Sequence, residues 1–345
     1  MHAIGTWQPS AAPPLFDPAS LIQATRRLRE PLHILFDPMA GRIGAGFDGR
    51  VDVPHGEVAF ARLATLPAIY PEWLGDRSFL EAHGLRFPYV AGAMANGIAT
   101  TDLVIAMARG GSLGFFGAAG LDPERIEESL VVLRRALGGA DDSDEGPAWG
   151  SNLIHAPNEP EIEARTADLY IRFGVRRVSA SAYMKLPAPL VRYAATGLTR
   201  RPDGSIHRRN HVFAKISRPE VARRFLEPPP EAMLRDLVAA RLIGEDEARL
   251  AAQLPVAENF TVEADSGGHT DNRSLSALFP TILSLRDEIA RERGYKRPIH
   301  IGAAGGLGTP TAIAGAFALG ASYVVTGSVN QSTLEAGLHP DGKAM

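Results

Sequence analysis

The chain has 345 residues, 45% of them hydrophobic and 22% charged, an ordinary make-up for a globular protein with a substantial core. A formal net charge of -3, with arginines interleaved among acids as in Arg286-Asp287-Glu288 and Arg291-Glu292-Arg293, argues against nucleic acid as a partner. With no cysteine, disulfides, thiolate nucleophiles and cysteine metal sites are excluded.

Met1 to Trp7 contains no basic stretch followed by an apolar run, so the expected location is the cytoplasm. Residues 1–84 are rich in proline and glycine and show one helical pattern, around Leu21 to Leu28. They read as an N-terminal extension that packs on the main body. Over 85–345, short apolar runs alternate with helix-period segments, the sign of a parallel α/β sheet.

The runs are Phe87 to Ala91, Leu113 to Phe116, Trp149 to Ile154, Arg177 to Ala182, Val212 to Ile216, Phe260 to Ala264, Ile299 to Ala303 and Tyr323 to Thr326. Eight strands separated by helices predict an α/β fold of the (β/α)8 type, a TIM barrel. Between strands five and six, Pro228-Pro229-Pro230 precedes the helical pattern Met233, Leu234, Leu237, Val238 and Leu242, which predicts a helical insertion. Ala312 to Val325 is the longest apolar run, too short for a bilayer span of ~20 residues and broken by Gly315 and Gly320, so no membrane is expected.

Several strands end in small or polar residues: Gly92-Ala93-Met94-Ala95, Asn152, Ser181, Lys215, Gly305-Gly306 and Gly327-Ser328. In a barrel these positions share the face that carries active sites. The segment Asn259 to Asp271 is the most telling, a strand that runs through Asp265 and Ser266 into Gly267-Gly268 and presents His269, with Asp265 and Asp271 near enough in sequence to orient it. Gly305-Gly306 before the helix start Thr309-Pro310, together with Gly327-Ser328, suits a phosphate. Met94 reads more readily as core filling than as a ligand contact. His155, His207, His211 and His300 have no metal-ligand spacing, and no carboxylate-rich metal loop occurs, so no metal is expected.

The ordered motifs Gly92 to Ile98, Leu113 to Leu121, Asn152 to His155, Ser181 to Met184, Ala214 to Ser217, Glu263 to Asp271, Gly302 to Gly308 and Thr326 to Gln331 resemble the PfaD-type trans-acting enoyl reductases. These enzymes serve polyunsaturated fatty acid and polyketide synthases and are relatives of the FMN-dependent nitronate monooxygenases. The resemblance implies reduction of the α,β-double bond of enoyl thioesters on an acyl carrier protein, with FMN as cofactor and NAD(P)H as reductant. It implies that His269 stands beside the flavin ring as the catalytic group, with Lys215 as a second. It gives Gly305, Gly306, Gly327 and Ser328 to the FMN phosphate. Ala93, Met94, Asn152, Lys215 and the loop Asp265, Ser266, Gly267 and Gly268 fall to the rest of the cofactor. An FMN-dependent oxidase and a non-catalytic barrel protein of a synthase complex are the alternatives.

Two departures stand out. Ser179 occupies a position where an acidic residue is expected, and the chain stops at Met345, with only Gln331 to Gly337 left for a final helix. The expectation is a truncated C-terminal helical region, leaving this form dependent on a partner or homodimer contact.

Overall fold

The computed structural model describes residues 2–52, 60–138, 146–264 and 271–344. The chain forms two compact units, Met1–Trp73 and Leu74–Met345. The first is an antiparallel sheet made of β1 (Gly5–Pro9), β2 (Leu32–Asp37), β3 (Arg42–Gly46), β4 (Gly49–Val51) and β5 (Phe60–Leu66), in the order β3-β2-β5-β1-β4, with one helix, α1 (Pro18–Ala24). The expected helix at Leu21 to Leu28 is thus displaced toward the N-terminus, because the Asp17 carboxylate caps it by accepting from the Ser20 amide at 2.9 Å. The sheet is invisible to sequence pattern because glycines are part of its packing. A Cβ on Gly46 would lie 2.6 Å from the fully buried Trp7 ring. Such strands score as coil.

The second unit begins with α2 (Arg77–His83), which the sequence pattern places in the N-terminal extension ending at 84. There follow β6 (Tyr89–Ala91), α3 (Thr101–Arg109), β7 (Leu113–Phe116), α4 (Pro123–Leu137), β8 (Gly150–Ile154), α5 (Pro160–Arg172), β9 (Arg177–Ser181) and α6 (Ala188–Ala195). A small hairpin, β10 (Thr199–Arg200) and β11 (Ile206–His207), precedes β12 (His211–Ile216) and α7 (Pro219–Leu226). The expected insertion is the helix pair α8 (Glu231–Ala239) and α9 (Glu245–Ala251), which packs with α6 in its own apolar cluster around Leu234, Leu237 and Leu250. The chain then runs through β13 (Asn259–Glu263), α10 (Leu275–Arg293), β14 (His300–Ala304), α11 (Pro310–Ala318), β15 (Val324–Thr326), α12 (Ser328–Gln331) and α13 (Pro340–Ala344).

Strands β12-β13-β14-β15-β6-β7-β8-β9 pair in parallel and close on themselves, so the (β/α)8 barrel is complete. All eight expected strands form. Proline opens α4, α5, α6, α7 and α11, where its missing N–H and fixed φ suit the first helical turn. Thr309 caps α11, accepting from Ala312 N at 3.2 Å, as Thr309-Pro310 predicts. Among the described residues no helix is long and apolar enough to cross a membrane.

Alternation along each strand sends every second side chain into the barrel. On β12 these are His211, Phe213 and Lys215; on β13, Asn259, Thr261 and Glu263; on β14, His300, Gly302 and Ala304. Each column climbs from a polar bottom, through a packed middle, to the open mouth. In the middle, Phe213, Phe115, Phe79 and Tyr323 pack together, Tyr323 Oη bonds Thr261 Oγ1 at 3.0 Å, and Gly302 leaves room for the Tyr323 ring. The barrel is therefore solid below and hollow only above.

Candidate active site

The hollow is a cavity of about 960 Å³, near the top of the ~300–1,000 Å³ range usual for small-molecule sites. Every strand but β7 contributes its own carboxyl end or the residues just after it, and β7 contributes Ala119 from its following loop. Of the sequence-predicted residues, Ala93, Met94, Asn152, Lys215, Gly305, Gly306, Gly327 and Ser328 all line it. Asp265, Ser266, Gly267, Gly268 and His269 lie outside the described residues.

Gly305 and Gly306 leave β14 in the left-handed region, at φ 89° and 67°, which a residue with a Cβ adopts only at a cost of about 1–2 kcal/mol. Among the described residues, no atom lies within 4 Å of a Cβ built on Gly306 or Gly327. The N–H groups of Gly305, Gly306, Gly327 and Ser328 make no hydrogen bond among the described residues. β14 and β15 are neighbours, so these four backbone donors follow adjacent strand ends and all belong to residues that line the cavity. Backbone donors on open glycines form a cradle for an anion, and a terminal phosphate fits that donor set.

Asn152 is buried, and its Nδ2 donates to Ser179 O at 2.8 Å and Ser181 Oγ at 3.0 Å. With both amide hydrogens used inside the barrel wall, Oδ1 is left as the group it can offer a ligand. Ser179, where an acid was expected, is a buried link in this arrangement rather than a cavity group.

Lys215 forms an ion pair with Glu263, Nζ to Oε1 at 2.8 Å, and neither side chain has another polar partner among the described residues. Glu263 escapes sequence reading as a site residue because an acid at a strand end looks like a turn signal. Asp271 accepts both Arg218 Nε and Nη2 at 2.6 Å and Ser217 Oγ at 3.2 Å, and its expected partner His269 lies outside the described residues. The Arg218 hydrogen bonds hold its carboxyl below the usual carboxylate range. The cavity thus carries two matched ion pairs.

A cluster beside the site is equally hidden in the sequence. Buried Glu163 accepts from Tyr183 Oη at 3.0 Å and from Ala156 N at 3.1 Å, and its other contact is His155 Nδ1 at 3.0 Å. It ties the ends of β8 and β9 together below Tyr183, a cavity wall residue that follows Ala182, whose φ is 63°. Nothing in the spacing of His155, Glu163 and Tyr183 signals this meeting.

Comparison with known proteins gives a consistent placement. No protein-family model matches the sequence. One of the polyunsaturated fatty acid synthase proteins of Thraustochytrium sp. is 41% identical over 312 residues, which is 90% of this chain and 20% of that protein. Polyketide biosynthesis protein PksE of Bacillus subtilis is 42% identical over 268 residues, 78% of this chain and 34% of that protein. The enoyl reductase domain of MlnA, from the macrolactin biosynthesis cluster of Bacillus amyloliquefaciens, superimposes with a TM-score of 0.75 and 39% identity over 79% of this chain and 60% of that one. The chain spans about a fifth to a third of the length of these curated relatives. Over these aligned lengths the chain is a homologue of polyunsaturated fatty acid synthase and polyketide biosynthesis proteins.

Proposed function

We propose that this barrel is an FMN-dependent enoyl reductase, which uses NAD(P)H to reduce the α,β-double bond of enoyl thioesters borne on an acyl carrier protein in polyketide or polyunsaturated fatty acid synthesis. The observation that carries the reading is the set of four unanswered N–H donors on Gly305, Gly306, Gly327 and Ser328, set beside a roomy cavity with a donor and acceptor pair on its floor. That combination suits a planar ring ending in a monophosphate, and the likeness to an enoyl reductase domain supports the chemistry. A cytoplasmic location and a homodimer belong to the same proposal.

A bound flavin would supply the hydride for the β-carbon. The residues do the rest. The cradle would hold the phosphate, Met94 and Ala93 would wall the ring, and Asn152 Oδ1 would accept from a hydroxyl of the ribityl chain. His269, which follows β13 in sequence, gives a hydrogen bond to the thioester oxygen as negative charge develops there and supplies the proton that the α-carbon takes up. The hydride and the proton together complete a two-electron reduction.

The test is anaerobic. Protein loaded with FMN is mixed with NADPH and then with a crotonyl thioester, and flavin absorbance is followed. Bleaching by NADPH and recovery with the thioester is the expected result. Recovery only on admitting oxygen would make the protein an oxidase, and failure to take up FMN would make it a non-catalytic member of a synthase complex.

A further inference from the structure

Glu263 has so far been given no ligand atom to meet. It sits at the top inward position of β13, above Thr261 and Asn259, and it meets Lys215 at the top inward position of the adjacent β12. Both side chains line the cavity and stay only partly covered, at 23% exposure for Lys215 and 16% for Glu263. Their valences are far from filled. An ammonium carries three donors and a carboxylate several acceptor sites, and this contact uses one of each. Since neither residue has a second polar partner among the described residues, the floor of the cavity offers a donor and an acceptor side by side.

We infer that this pair reads the imide edge of the cofactor's ring. Resting on the flavin reading above, the inference assigns Glu263 to accept from the ring N3–H while Lys215 donates to the neighbouring ring carbonyl. A cyclic imide presents an N–H flanked by carbonyls, so a fixed carboxylate and ammonium match it in order. A lone lysine would match only the carbonyl. The pair also brings no net charge, so it recognises the ring by pattern rather than by field. The purely structural alternative, a bridge between two strands, leaves the spare valences without purpose.

The discriminating probe is FMN methylated at N3, which keeps the phosphate, the carbonyls and the ring but loses the donor. Binding is read by quenching of flavin fluorescence, with no turnover needed. Wild-type protein should bind the methylated flavin about ten- to a hundredfold more weakly than FMN, the usual worth of a hydrogen bond to a charged group. Glu263→Ala should bind the two flavins equally. Glu263→Gln, whose amide oxygen still accepts, should retain part of the discrimination and guards against a variant that fails to fold. Equal binding of both flavins by the wild type would overturn the inference while leaving the flavin reading intact, and so would discrimination that persists in Glu263→Ala. A wild-type protein that bound neither flavin would instead overturn the flavin reading itself, and this inference with it.

Discussion

The two ends of the barrel follow the same alternation of inward side chains and satisfy their polar groups in opposite ways. At the bottom, α2 inserts His83 and Phe79 under the strands. Arg177 Nε donates to His83 Nδ1 at 3.2 Å, so His83 must carry its proton on Nε2, which donates to Asn259 Oδ1 at 3.1 Å. The same oxygen accepts from His300 Nδ1 at 3.1 Å, and His300 Nε2 meets Ser78 Oγ at 3.0 Å. Beside this set, buried Glu258 is held by Arg297 at 2.6 Å and Arg208 at 3.3 Å. Burial raises the Glu258 pKa, but Arg208 and Arg297 outweigh it and leave the carboxyl below its usual range. At the mouth, by contrast, Gly305, Gly306, Gly327 and Ser328 leave donors unanswered among the described residues, Lys215 and Glu263 are half-used there, and a cavity replaces the packed rings. One end is finished by the protein and the other is left for a ligand. That is the division of labour usual for this fold, stability below and chemistry above.

The comparison can be broken by substitutions that affect one end only. His269→Ala should leave FMN bound but slow reoxidation of the reduced cofactor by enoyl thioester about 10²–10⁴-fold, the loss typical of a general acid, as read in the anaerobic half-reaction. Wild-type rates would remove His269 from the chemistry. Gly306→Val puts side-chain bulk into the cradle, and FMN affinity measured by equilibrium titration should fall by about 100-fold or more, since each hydrogen bond to a charged group is worth ~1.5–3 kcal/mol. Unchanged affinity would refute the phosphate site.

At the bottom, Asn259→Leu strands the N–H groups of His83 and His300 in a buried setting, at a cost of about 2–4 kcal/mol in denaturant unfolding. FMN affinity should stay within about twofold of wild type. A larger loss of FMN would show that the ends are coupled.

A pH series sharpens the same contrast. Burial, with Arg177 close by, holds the His83 pKa well below 6.5, and burial also lowers that of His300 despite the neighbouring Asp76 and Glu258. A lowered folded-state value means that the stabilisation is fully present above pH 6.5, where the unfolded histidines are neutral too. It is lost as pH falls from there toward the folded values, by up to about 1.4 kcal/mol per pH unit for each histidine. Thermal melts of wild type should therefore drop below pH 6.5, and His83→Gln should show a shallower fall. A melt independent of pH across that window would contradict the buried, neutral histidines of the bottom. The smallest effect belongs to the surface: Arg77→Ala, which breaks an exposed pair with Glu81, should cost less than about 0.5 kcal/mol.

The amino-acid pattern makes the top of the barrel legible and leaves most of the bottom dark. All eight strands are readable because buried parallel strands are short apolar runs, and their carboxyl ends are readable because Gly305-Gly306 and Gly327-Ser328 break those runs with residues a strand does not need. Helix α2 falls to the extension because its apolar residues fit no longer amphipathic pattern. Its partners Asn259 and His300 lie far away in sequence, where a single polar residue at a strand start carries no signal. Glu263 and Glu163 stay hidden for a related reason, since an acid announces a partner only when the fold has brought that partner near. The N-terminal sheet is masked by glycines that serve the packing of Trp7.

The most direct measurement of the central claim compares FMN with riboflavin, which shares the ring and side chain but lacks the phosphate. If the four unanswered donors at the mouth form the anion cradle, equilibrium titration of the protein should show FMN binding at least about 100-fold tighter than riboflavin, with Gly306→Val abolishing the difference. Equal affinity for the two flavins in the wild-type protein would contradict the account.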